Sequence, residues 1–209
     1  MKPILFSTEM VKAILDERKT QTRRVIKGDI LPGWDQEWQT PCYLKIEDGK
    51  PYGNVVKAPY QPGDILWVRE TWCYFSPGAP DGMGENIYLK AHQTRLNSAE
   101  ERMKICGVKW RPSIHMPRTA ARLYLLVKSV RVERVQDIRS ADAEAEGVEK
   151  TGTCRWRDYC GIESGGFINP TASFVTLWDS LNAKRGYPWD SNPWVWVIEF
   201  RRVDNADNH

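Results

Sequence analysis

The residues with the clearest chemical content are Arg18-Lys19-Thr20-Gln21-Thr22-Arg23-Arg24. A threonine hydroxyl is a weak nucleophile and attacks only when a base takes its proton. Lys19, three residues ahead of Thr22, can be that base if its pKa is pulled down towards neutrality. Burial and nearby positive charge both act in that direction, because both disfavour the ammonium form. Arg18, Arg23 and Arg24 supply the positive charge, and they would also attract a phosphate or a developing oxyanion. Read without chemistry, the same run is a solvated basic helix end whose cations complement the helix dipole.

A second group is Arg111, His115 and Arg118, on a stretch that contains Pro112 and Pro117. The prolines make it extended or turned. With Trp110 alongside, the arginines can form a nucleic-acid lip through phosphate pairing and stacking, whereas a lone histidine is ordinarily structural or a surface residue. A third group is the pair of carboxylates Glu144 and Glu146. A glutamate near a helix end usually faces solvent, and Glu146, just ahead of Gly147, opposes the helix dipole.

These residues need elements to position them. Residues 2–6 read as a short strand, and Ser7 or Thr8 can cap a helix with Met10, Val11, Ile14 and Leu15 on its apolar face. That helix should run out near Arg18, leaving Lys19 at its end and Thr20–Val25 as a strand. Residues 28–62, rich in Gly and Pro, read as an insertion with little regular structure. Pro62-Gly63-Asp64 is a turn signal that launches Ile65-Leu66-Trp67-Val68, apolar on both faces. Residues 76–84 read as a loop, Ile87–Ala91 as a strand and Ala121–Val132 as a long strand. Ser140 is placed to cap a short helix, residues 141–146, stopped by Gly147. Residues 149–172 read as another insertion. Ser173 is placed to cap a helix with Phe174, Leu177, Trp178 and Leu181 on one face, ended by Gly186. A last strand carries Trp194, Trp196, Ile198 and Phe200 on one face. Core packing is the default for Trp67, Trp72, Trp194 and Trp196.

Composition narrows the classes. The net charge of +3 is too small for bulk polyanion binding, so a nucleic-acid role must rest on local clusters. No apolar run is long enough to span a bilayer. The N-terminal apolar stretch is too brief for a signal peptide, and five cysteines is an odd count, so a reduced cytoplasmic setting is expected. Cys154 and Cys160 have five residues between them and the three histidines are scattered, which matches no zinc spacing, and neither metal nor cofactor is expected. The chain has no repeat and no linker. It reads as one domain over residues 1–203, with insertions near 28–62, 73–118 and 149–172, and a polar, disordered tail over 204–209.

In order along the chain, four features accumulate: the capped helix leading into Arg18–Arg24, then Pro62-Gly63-Asp64-Ile65-Leu66-Trp67-Val68, then Ala143-Glu144-Ala145-Glu146-Gly147-Val148 after the long strand, and finally Val195-Trp196-Val197-Ile198-Glu199-Phe200. In this the chain resembles the ASCH family of the PUA-like superfamily, small β-barrel domains with flanking helices that are associated with RNA and modified bases. It looks like the longer ASCH-type proteins of phages and prophages. The resemblance covers about half the chain.

The resemblance implies an α+β fold built on a PUA-like mixed or antiparallel β-barrel with flanking helices and inserted loops. The family includes a compact bacterial amidohydrolase that removes the acetyl group of N4-acetylcytidine, with the motif Arg-Lys-Thr-x-Thr-x-Arg and a later glutamate. This sequence matches at Arg18, Lys19, Thr20, Thr22 and Arg24, and Glu146 matches the glutamate. The resemblance therefore implies Lys19 as base, Thr22 as nucleophile and Glu146 as proton shuttle or lysine orienter, with RNA or a modified nucleoside as partner. The inserted loops depart from the compact enzyme. Two other activities stay open: a non-catalytic module binding RNA or a modified base, and a ribonuclease in which the same cations hold the scissile phosphate.

Overall fold

The computed structural model describes residues 1–28, 30–35, 40–47, 50–74, 87–92, 107–161 and 165–203. The expected loop at 76–84 and tail at 204–209 lie outside the described residues. The fold is α+β, with a mostly antiparallel five-stranded sheet and three α-helices among the described residues. The chain forms two compact units that alternate along the sequence. One comprises Met1–Lys19, Gly63–Leu126 and Arg201–His209; the other comprises Thr20–Pro62 and Val127–Phe200.

In the first unit, β1 (Lys2–Leu5) runs parallel to β6 (Ile65–Arg69), with Lys2 opposite Leu66 and Leu5 opposite Arg69. Leu66, Trp67 and Val68 are buried, as a strand apolar on both faces requires. Helix α1 (Thr8–Leu15) is capped by Ser7, whose hydroxyl accepts from the Met10 amide, and it buries Val11, Ala13 and Ile14. It stops at Leu15, short of the expected Arg18, because Glu17 turns into the left-handed region at φ 59°. The short strands β7 (Trp72–Tyr74) and β8 (Ile87–Leu89) pair antiparallel. The Pro112–Ala120 stretch forms two short 3-10 turns, in keeping with its prolines.

In the second unit, β2 (Gln21–Val25) pairs antiparallel with residues 195–199 of β12 (Trp194–Val203), Thr22 opposite Ile198 and Arg24 opposite Trp196. The expected lack of regular structure over residues 28–62 is overturned. They form a three-stranded antiparallel meander, β3 (Ile30–Asp35), β4 (Thr40–Glu47) and β5 (Lys50–Val55). Gly and Pro within the strands hide the alternation that marks a strand, while the ladder pairing still satisfies the backbone. Residues 149–172 hold a small hairpin of β10 (Lys150–Gly152) and β11 (Arg155–Trp156).

Strand β9 (Tyr124–Arg134) pairs antiparallel with β6, Ile65 opposite Leu126, and the strand order of the five-stranded sheet is β1-β6-β9-β12-β2. Two caps differ from expectation. Helix α2 (Ser140–Ala145) begins after Arg139, whose amide donates to the Asp142 carboxylate, so Ser140 is the first helical residue and not the cap. Helix α3 (Pro170–Asn182) is capped by Asn169, which accepts from the Thr171 amide at 2.8 Å, and Pro170 occupies the first turn. Ser173 is instead a buried helical residue whose hydroxyl donates to the Arg157 carbonyl. Phe174, Leu177 and Trp178 are buried as expected, but Leu181 is exposed.

Candidate functional site

Strand β2 closes one edge of the sheet order, and alternation sends Thr22 and Arg24 to one face and Gln21 and Arg23 to the other. The C-terminal end of α2 lies against this edge: the Thr20 amide donates to the Ala145 carbonyl at 2.9 Å. Glu146 is the C-cap of α2, and Gly147, at φ 87°, supplies the left-handed turn that ends it. Of the two candidate carboxylates Glu146 is buried and Glu144 is exposed. Thr22 is also buried.

Arg23 does not project outwards. Its side chain is 1% exposed and lies in a carboxylate cluster. Nη1 donates to Glu146 Oε1 at 3.1 Å, and Nη2 donates to Glu133 Oε2 at 3.0 Å with Asp142 Oδ2 at 3.9 Å. Its guanidinium also sits 5.8 Å from the centre of the Phe174 ring. With its amide oriented to suit these neighbours, Gln21 donates to Asp142 at 3.2 Å and accepts from Arg23 at 2.6 Å. Arg131 extends the cluster through Glu133, Glu199 and Asp142. Burial works against the charged form of Arg131, but hydrogen bonds and charge from Glu133 and Glu199 outweigh it and raise its pKa.

Sequence reasoning grouped Arg23 with the anion-attracting arginines and missed Arg131, Glu133, Asp142 and Glu199. One signal was available: Arg131 and Glu133 lie two apart on a strand and so share a face. Arg24 differs from Arg23. It is half-buried, and its pKa is lowered, first by burial and also by the charge of Arg185, against the opposing effects of Tyr60 and Glu146. Arg185 and Tyr60 are therefore further members of this neighbourhood that the motif did not indicate.

Lys19 is the last residue of the first unit and is buried. Its amide donates to the Ala13 carbonyl at 3.0 Å, and its ammonium stands 5.9 Å over the Phe6 ring. Arg18 pairs with Asp16 at 3.0 Å. Arg111, His115 and Arg118 are exposed residues of the same unit. The Arg111 guanidinium lies over Trp72 at 5.3 Å and over Tyr74 at 5.5 Å, and Arg118 contacts the Met1 sulfur. Thus Thr22, Arg23, Arg24 and Glu146 belong to one unit, and Arg18, Lys19, Arg111, His115 and Arg118 belong to the other.

Compared with models of known protein families, with curated proteins and with solved structures, the chain matches none of them. Among the tryptophans singled out, Trp67 and Trp72 are buried, whereas Trp194 and Trp196 are half-buried. Among the described residues no three His, Cys, Asp or Glu side chains are grouped to hold a metal ion, and no helix is long and apolar enough to cross a membrane. Cys73, Cys154 and Cys160 are free thiols.

Proposed function

We propose that this is an ASCH-type protein that recognises RNA or a modified nucleoside in the cytoplasm and hydrolyses an N4-acylated cytidine-type base. The proposal includes closure of the sheet into a PUA-like barrel. In the reaction, the Lys19 amine takes the proton from Thr22 Oγ1. That oxygen attacks the acyl carbonyl carbon, and the resulting oxyanion is stabilised by Arg24 and backbone N–H groups. The C–N bond then breaks, the exocyclic amine leaves with a proton delivered through Glu146, and the acyl group stays as an ester on Thr22. Water hydrolyses the ester, releases the carboxylic acid and restores the hydroxyl.

One observation carries the reading. Thr22 and Glu146, far apart in sequence, each lie within two residues of the hydrogen bond between Thr20 and Ala145, and it is the motif glutamate, rather than Glu144, that is buried. The assay is release of free cytidine from N4-acetylcytidine. Thr22→Ala and Lys19→Ala should each lose several orders of magnitude, while Thr22→Ser keeps part of the rate because its hydroxyl can still attack.

A second reading, a non-catalytic binding module, is favoured by the burial of Thr22 and by the face alternation that parts Thr22 from Arg23, the donor to Glu146. Wild-type protein that leaves a panel of acylated nucleosides intact yet binds RNA would select it. RNA cleavage that persists in Thr22→Ala would select a ribonuclease.

A further inference from the structure

We propose that residues 109–118 of the first unit, together with Tyr74, form a docking strip for a single-stranded oligonucleotide. This deepens the nucleic-acid reading above by naming a strand-binding surface, and its test needs no turnover. Between Gly107 and Arg122 the chain has no acidic residue, and Lys109, Arg111, His115 and Arg118 are all exposed. Such a run gives a local positive field that the small net charge of the whole chain conceals.

The geometry of Arg111 points to a nucleic acid. Its guanidinium lies over both Trp72 and Tyr74, and those two rings meet edge-on at 4.9 Å between centroids. It has no carboxylate partner among the described residues. A guanidinium held against a ring face keeps its in-plane N–H groups for a phosphate, and little conformational freedom is left to lose on binding. Tyr74 is 38% exposed, so part of its ring is open to a base; Ile114, three residues beyond Arg111, is 54% exposed.

The strip is also rigid. Arg111 and Trp72 exchange both backbone hydrogen bonds, at 2.7 and 3.3 Å. Arg69 donates twice to the Met116 carbonyl, and Met116 packs with Trp72 and Ala120 in the core. Val108 and Trp110 pack on Cys73. A guanidinium held beside an open aromatic face, on a segment that also exposes Lys109 and Arg118, pairs with a phosphate while the ring stacks a base, and this suits a single strand of any sequence. A duplex hides the base faces, and a polycarboxylate such as polyglutamate has no ring to stack on Tyr74.

The test is fluorescence anisotropy of the full chain with labelled 12-nucleotide RNA and DNA strands, over a range of salt. Binding of either strand should weaken as salt rises. Tyr74→Ala and Arg111→Ala should each weaken it by about ten- to a hundredfold. Tyr74→Phe keeps the ring and should bind nearly as wild type, and Lys12→Ala, on α1, should leave affinity unchanged. Unchanged binding in both alanine variants would overturn the strip, as would equally tight binding of a duplex. Displacement of RNA by polyglutamate as effectively as by unlabelled RNA would overturn it in favour of an acidic protein partner. Losses in these variants from a wild-type protein that releases no cytidine would support the strip and count against the hydrolase.

Discussion

Replacing Arg23 by methionine isolates what the buried cluster contributes. Methionine fills much of the same space and can pack against Phe174, so the main change is loss of the charge and its donors. Arg23 is 1% exposed, Glu146 5%, and Glu133 and Asp142 about a fifth exposed. Glu133 and Asp142 keep Arg131, whereas Glu146 loses the Arg23 donor at 3.1 Å. Removing one partner of a buried pair costs roughly 3–5 kcal/mol. Arg23 Nε is buried with no partner among the described residues, a penalty that disappears with the substitution, so the lower end of the range, about 3 kcal/mol, is expected. With a urea slope of about 2–3 kcal/mol/M, the unfolding midpoint falls by about 1–1.5 M at unchanged slope. Equilibrium urea unfolding followed by tryptophan fluorescence reads this directly. Adding Glu146→Gln to Arg23→Met removes the carboxylate charge and should restore about half the loss. A loss below about 0.5 kcal/mol would refute the reasoning, because that is the range of solvent-screened surface pairs.

Two further substitutions probe the backbone and the core. At Gly166, φ is 68° and an added Cβ would stand 2.4 Å from the Trp156 carbonyl oxygen. Gly166→Ala should therefore cost roughly 2 kcal/mol or more in a thermal melt, while Gly28→Ala, at φ 86° with no atom within 4 Å, should cost only about 1 kcal/mol. Burial pushes the Cys73 thiol up to about 11 from 9.0, against the opposing charge of Arg111. The folded state then holds the proton longer than the unfolded state, so this contribution is intact below pH 9.0 and is lost as pH rises towards 11, by roughly 2–3 kcal/mol in all. The stability–pH curve of Cys73→Ala should lack that component, and identical slopes above pH 9 in the two proteins would contradict it.

What the sequence determined by itself is local. Ser7 ahead of an apolar face was enough to place α1, and Pro62-Gly63-Asp64 was enough to start β6, because cap and turn chemistry act over a few residues. Gly147 ending α2 is of the same kind, and Asn169-Pro170 was a legible start for α3 that Ser173 concealed. The meander over residues 30–55 was not legible, because its Gly and Pro positions break the alternation and its stability lies in cross-strand pairing. Periodicity put Leu181 on the buried face of α3, yet it is exposed, since a helical stripe says which residues align and not how far the neighbouring elements extend. At the site, strand alternation places Arg23 and Arg24 on opposite faces but cannot say which face is covered. Only tertiary structure brought Glu133, Asp142 and Glu146 onto Arg23 and put Arg24 within the electrostatic influence of Tyr60 and Arg185. The reason is physical: a buried guanidinium is tolerable only where carboxylates arrive from other elements, and the partners are chosen by the packing of α2 and β9 and not by any spacing along the chain.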